Sequence, residues 1–131
     1  MRSLFVVSIL FLACGEVGCA PHFAQRGHNE TLLPSELIAH AEMFDGQHVT
    51  VRGYVVVGAE VRIIADSAQG YKDPHGGCLG LDGPDAMFAG LSRHSVEEVS
   101  GVFHRTLCKK DQVCLYWCGD SGIELDKDVS L

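Results

Sequence analysis

Valines stand at positions 49, 51, 55 and 57, with Thr50, Arg52 and Tyr54 between them and Gly53 at the centre. A period of two puts the four valines on one face of an extended chain, so the stretch reads as a half-buried strand, and the central glycine predicts a bulge. Gly58-Ala59 turns the chain. Val61, Ile63 and Ala65 then alternate with Glu60, Arg62 and Ile64 as the returning hairpin partner. Two strands alone are marginal in water, so the rest of the chain has to add to the sheet.

Further strands follow. A polar loop from Asp66 to Gly77 leads to a third strand over Cys78-Leu79-Gly80-Leu81, and Asp85 to Leu91 allows one or two helical turns. Val99, Gly101 and Phe103 mark a fourth strand, Val113, Leu115 and Trp117 an extra one, and Ile123 with Leu125 the last. Ahead of the first strand, Pro34-Ser35-Glu36-Leu37-Ile38 opens a short helix that Asp45-Gly46 ends.

This succession of three strands, a short helix, a fourth strand, a long loop and a final strand resembles the OB-fold. The segments that carry the resemblance are Phe44-Asp45-Gly46-Gln47-His48-Val49-Thr50-Val51-Arg52-Gly53-Tyr54, Val99-Ser100-Gly101-Val102-Phe103 and Ser121-Gly122-Ile123-Glu124-Leu125. They are similar to those of small exported bacterial OB-fold proteins, mostly lipoproteins. The resemblance implies a mainly β domain over residues 34–126. Its fold would be an OB-like five-stranded Greek-key barrel with a short N-terminal helix and a helix between strands 3 and 4, followed by a C-terminal tail at 127–131.

The N-terminus points to the same compartment. Met1-Arg2 is positive, and Ser3 to Ala13 is an uncharged, mostly apolar run that Glu16 cuts off well short of the ~20 residues a membrane span needs. Residues 1–13 therefore read as a signal peptide. Phe11-Leu12-Ala13-Cys14 resembles the lipobox of bacterial lipoproteins, which implies lipidation at Cys14; Val17-Gly18-Cys19 offers Cys19 as the alternative, and ordinary cleavage without lipid is a third route. Residues 14–33, rich in Gly, Pro, His, Asn and Gln, read as a flexible tether. The expected location is the cell envelope, outer-membrane or periplasm-facing, with a lipid anchor as the only membrane attachment.

Export makes the cysteines informative. Of six, Cys78, Cys108, Cys114 and Cys118 fall in the domain, and four thiols in an oxidising compartment favour two disulfides. If Val113 to Cys118 is extended, Cys114 and Cys118 stand about 13 Å apart, beyond the ~7 Å limit for a bridge. Two pairings remain. The short turn Lys109-Lys110-Asp111-Gln112 brings Cys108 near Cys114, which leaves Cys78 for Cys118.

Other candidate chemistry is sparse. Gly119-Asp120-Ser121-Gly122 is similar to the nucleophile loop of chymotrypsin-like proteases, but Ile123 follows and no base and orienting acid are identifiable, so a turn explains it and no enzyme is expected. His104, Cys108, Cys114 and Cys118 together would suit a soft metal ion, an alternative reading as a metal-handling protein, although their spacing contains no Cys-x-x-Cys. His75 reads as a solvated loop histidine. No metal and no cofactor are assigned. With 10 basic against 17 acidic side chains the formal charge is −7, which argues against nucleic acid, and the longest basic run is only Lys109-Lys110 at a loop tip.

What remains is a non-enzymatic binding module whose partner is a protein, glycan or small ligand of the envelope. OB-folds bind across their second and third strands and the adjoining loops. Tyr54, Tyr71 and Tyr116 are the aromatic surfaces placed for that task, whereas Trp117 alternates with Leu115 and Val113 as a core residue.

Overall fold

In the computed structural model, which describes residues 30–72, 76–91, 94–114 and 118–127, the valine-rich stretch is a ten-residue strand with three neighbours. In chain order the strands are β1 (Thr31–Leu32), β2 (His48–Val57), β3 (Arg62–Ala65), β4 (Cys78–Asp82), β5 (Ser95–His104) and β6 (Gly122–Leu125). β2 pairs antiparallel with β5 from His48↔Val102 to Val55↔Ser95, antiparallel with β3 from Tyr54↔Ala65 to Val57↔Arg62, and parallel with β1 at Thr50 and Val51. β3 pairs with β4, β4 runs parallel to β6, and β6 pairs antiparallel with β5. The order β2-β3-β4-β6-β5 thus returns to β2 and closes a five-stranded barrel, the OB-like architecture read from the sequence.

The bulge expected at Gly53 is not there. The register of β2 runs unbroken through Gly53 on the β5 side, opposite Glu97. The glycine serves close approach instead: a Cβ at position 53 would lie 2.5 Å from the Ala65 carbonyl oxygen and 2.8 Å from Ile64 Cγ1. Here β2 leaves β1 and takes up β3, and only a residue without a side chain lets the two backbones close. Gly101 does the same for β5 against the Glu124 carbonyl on β6.

Inside the barrel, Val49, Val51, Val55 and Val57 meet Ile64, Leu79, Leu81, Val99, Phe103, Ile123 and Leu125. Helix α1 (Pro34–Ala39) adds Leu37 and helix α3 (Asp85–Ala89) adds Phe88. Each large side chain fully removed from water contributes roughly 1.5–3 kcal/mol, so this single cluster is the main source of stability. The N-terminal helix is two pieces, α1 and α2 (Ala41–Phe44), interrupted at His40, whose backbone leaves helical angles. Asp66, just past β3, accepts a hydrogen bond from Ser35 N–H at 2.9 Å and so ties the first turn of α1 to the barrel.

Two assignments change. Thr31–Leu32, read as part of the tether, is a strand beside β2 with Leu32 buried, so the ordered domain begins before Pro34. On β3 the face formed by Ile63 and Ala65 turns away from the barrel interior, while Ile64 enters it. Ile63 and Ala65 are buried nonetheless, because with Val56 and Cys78 they form a second core on the outer wall, covered by Tyr54, Val61, Tyr71 and Cys118. A strand packed on both faces loses the polar alternation that marks a half-buried one, which is why the pattern misassigned it.

The extra strand over Val113, Leu115 and Trp117 is not seen in the part described: Val113 and Cys114 lie outside any strand, and Val113 is 94% exposed. Leu115, Tyr116 and Trp117 lie outside the described residues, as do Cys14, Cys19 and His75. Among the described residues no helix is long and apolar enough to cross a membrane.

Candidate functional site

The segment between β5 and β6 folds back over the outer wall. Its base is closed by backbone and side-chain hydrogen bonds: Leu107 N–H donates to the Asp120 carbonyl at 2.7 Å and Ser121 Oγ donates to the Arg105 carbonyl at 2.8 Å. Arg105 N–H in turn donates to Asp45 Oδ1 at 2.9 Å. The serine of the Gly-Asp-Ser-Gly sequence is thereby a structural clasp of the loop, with a carbonyl as its hydrogen-bond partner.

Two cysteine pairs hold the loop. Cys108 and Cys114 stand 5.7 Å apart at Cα across the lysine-bearing turn, and Cys78 and Cys118 stand 5.5 Å apart, linking β4 to the far end of the loop. These are the same two pairs at which the spacing argument arrives. Leu107 lies against Gly122 on β6, where any added Cβ would strike its side chain, so the loop seats directly on backbone.

Between loop and wall is a groove of about 300 Å³. Arg62, Leu81 and Asp82 of β3 and β4 form one side; Leu107, Gln112, Val113 and Cys114 form the other. Arg62 is the most constrained of these. Its guanidinium carbon lies 4.3 Å from the centre of the Phe88 ring, Nη2 donates to Asp85 Oδ1 at 2.6 Å and Nη1 approaches the Gly83 carbonyl at 3.5 Å. Its Nε is sealed from solvent and has no hydrogen-bond partner. The arginine's side chain is 20% exposed, whereas that of Asp85 is 90% exposed.

Of the tyrosines, Tyr54 and Tyr71 are brought together. Their rings stack with centroids 6.5 Å apart, and His94 approaches Tyr54 from another side at 6.3 Å. Lys72 Nζ lies 5.5 Å from the Tyr71 ring centre. Both tyrosines are half-buried over the outer core, so much of their area is spent on packing. Tyr116 lies outside the described residues.

His104 does not join the cysteines. Its Nε2 is 3.2 Å from Glu124 Oε2, and the cysteines are taken up in their two pairs. Among the described residues no group of three or more His, Cys, Asp or Glu side chains is arranged to hold a metal ion.

Arg62 is the residue the sequence reading passed over. It sits in an alternating strand and reads as one of its solvent-facing polar positions. The usable signal is weak: Asp85 and Phe88 lie three apart on a short helix, able to bind one guanidinium by charge and by ring, but only if that helix packs on β3.

The fold and the groove define a small OB-like barrel with a disulfide-held loop over its outer wall. No family model, curated protein or solved structure matches the chain significantly.

Proposed function

We propose that this chain is an exported, lipid-anchored binding module, not an enzyme, and that its ligand occupies the groove between the β3–β4 wall and the β5–β6 loop. The observation that carries the reading is the position of the groove: it opens on the wall and the loop that correspond to the binding surface of OB barrels, strands 2 and 3 with the loop between strands 4 and 5. A volume of about 300 Å³ suits a small molecule or one or two residues of a chain. The cross-links support the reading, because a loop fixed in advance gives up less entropy when it binds. Export and anchoring rest on the first residues and on the cysteine pairs, which favour an oxidising compartment.

Two measurements test the proposal. Backbone amide spectra of the labelled protein, titrated with panels of peptides and oligosaccharides, should show shifts concentrated at Asp82, Leu107, Gln112 and Val113; shifts confined to surfaces away from the groove would refute it. Detergent-extracted protein should be heavier by acyl chains, and Cys14→Ala should abolish that mass. Unlipidated protein would remove the anchor from the proposal.

A further inference from the structure

We propose that the groove recognises a carboxylate attached to a small apolar body, such as the free C-terminal residue of a peptide, with Arg62 as the group that receives the carboxylate. The inference rests on the groove being the binding site and adds the chemistry of what enters it. Two independent observations meet at one side chain. Arg62 lines the groove, and among the described residues it carries the buried side-chain nitrogen that lacks a hydrogen-bond partner, Nε.

A buried donor without an acceptor costs free energy, and native structures keep few of them. Water does not reach Nε here, so solvent cannot satisfy it. A ligand that brings an acceptor into the groove removes that cost, with the side-chain adjustment that binding ordinarily entails. The guanidinium is otherwise positioned by Phe88 beneath it and by Asp85 and the Gly83 carbonyl at its far nitrogens. Planar and permanently charged, it matches a carboxylate through two parallel N–H groups once that adjustment turns Nε toward the groove.

The charge balance selects a monoanion. Asp85 is so exposed that its neutralisation of Arg62 is screened by water, which leaves the guanidinium attractive to an anion. Asp82, also on the groove wall, and the chain's formal charge of −7 oppose a doubly charged phosphate. Leu107 and Val113 supply apolar lining for the remainder of the ligand.

The side-chain Nε–H resonance of Arg62 in 15N-labelled protein is a direct readout. N-acetyl-leucine should shift it saturably together with the amides of Leu107 and Val113. N-acetyl-leucinamide, the same body without the charge, should bind about ten-fold more weakly or worse. Inorganic phosphate should leave the Nε–H signal in place. Arg62→Lys keeps the charge but loses the planar fork and should lose affinity for N-acetyl-leucine, while an unchanged amide spectrum elsewhere shows that the barrel is intact. Equal binding of acid and amide, or tighter binding of phosphate, would overturn the carboxylate inference and leave the groove as a site. Absence of any groove shift with N-acetyl-leucine, while other ligands shift groove amides, would overturn it too. Shifts by every ligand only at sites remote from the groove would overturn the binding reading itself.

Discussion

Cys118 meets Cys78 across forty residues of chain, and the bond between them fastens the end of the β5–β6 loop to the central wall strand β4. Cys78 is buried in the outer core beside Ile63 and Ala65, so the bridge is both a cross-link and part of the packing.

Removing that bridge as Cys78→Ala with Cys118→Ala should destabilise the protein by about 4 kcal/mol in the chain-entropy model. The loop closed by Cys108 and Cys114 has a separation of only six residues. Its removal should cost roughly 2 kcal/mol by the same relation. Urea unfolding of the two double variants against the oxidised parent measures both, and the order of the two losses is the firm expectation.

Gly53→Ala should be far worse than the size of one methyl suggests. The new Cβ would press on the Ala65 backbone oxygen, which cannot move without parting β2 from β3. A loss of about 2–4 kcal/mol is expected. Arg52→Ala, next to it on the exposed face, should change stability by less than about 0.5 kcal/mol. Thermal unfolding of the pair distinguishes crowding from a general intolerance of this strand.

Arg62 and Asp85 should be unequal partners. Asp85→Ala removes an ion pair whose acidic member is 90% exposed, and should cost less than about 1 kcal/mol. Arg62→Ala also strips the cation and its aliphatic stem from the Phe88 ring, and about 1–2 kcal/mol should be lost. Raising the salt concentration should shrink the first difference and leave most of the second.

Single-stranded DNA or RNA should not bind at physiological salt. The chain is acidic overall and β3 and β4 carry no aromatic side chain on which bases could stack. Fluorescence titration of a labelled oligonucleotide checks this; micromolar affinity that falls steeply with salt would contradict it.

The barrel was legible because its strands declare themselves by period. The valines of β2, Val99 and Phe103 of β5, and Ile123 and Leu125 of β6 alternate as walls with one wet face must. β3 was legible as a strand but not as to its faces, since Ile63 and Ile64 are both buried, each in a different core. Gly53 was noticed and given the wrong task, because a bulge and a close approach leave the same mark in a sequence. The Cys108–Cys114 pair followed from turn length, whereas the reach argument that left Cys78 to Cys118 arrived at the observed pair from an extended run over Val113 and Cys114 that is not seen. The groove was not legible, because its walls come from β3, β4 and a loop distant in the chain, and Arg62 becomes special only through its contact with Phe88.

The three-way pairing of β2 also sets when the fold can exist. β2 is bound by β5 along most of its length, and His48 has no partner on that side until Val102 arrives. β6, which links β5 to β4, comes later still. The meander β2–β3–β4 pairs locally, but closing the barrel joins β2 to β5 and β4 to β6 and so waits for the late strands. Folding of this kind is governed by non-local contacts and is slow. Barrel closure thus waits for nearly the last residues of the domain, a delay that fits the export proposed above.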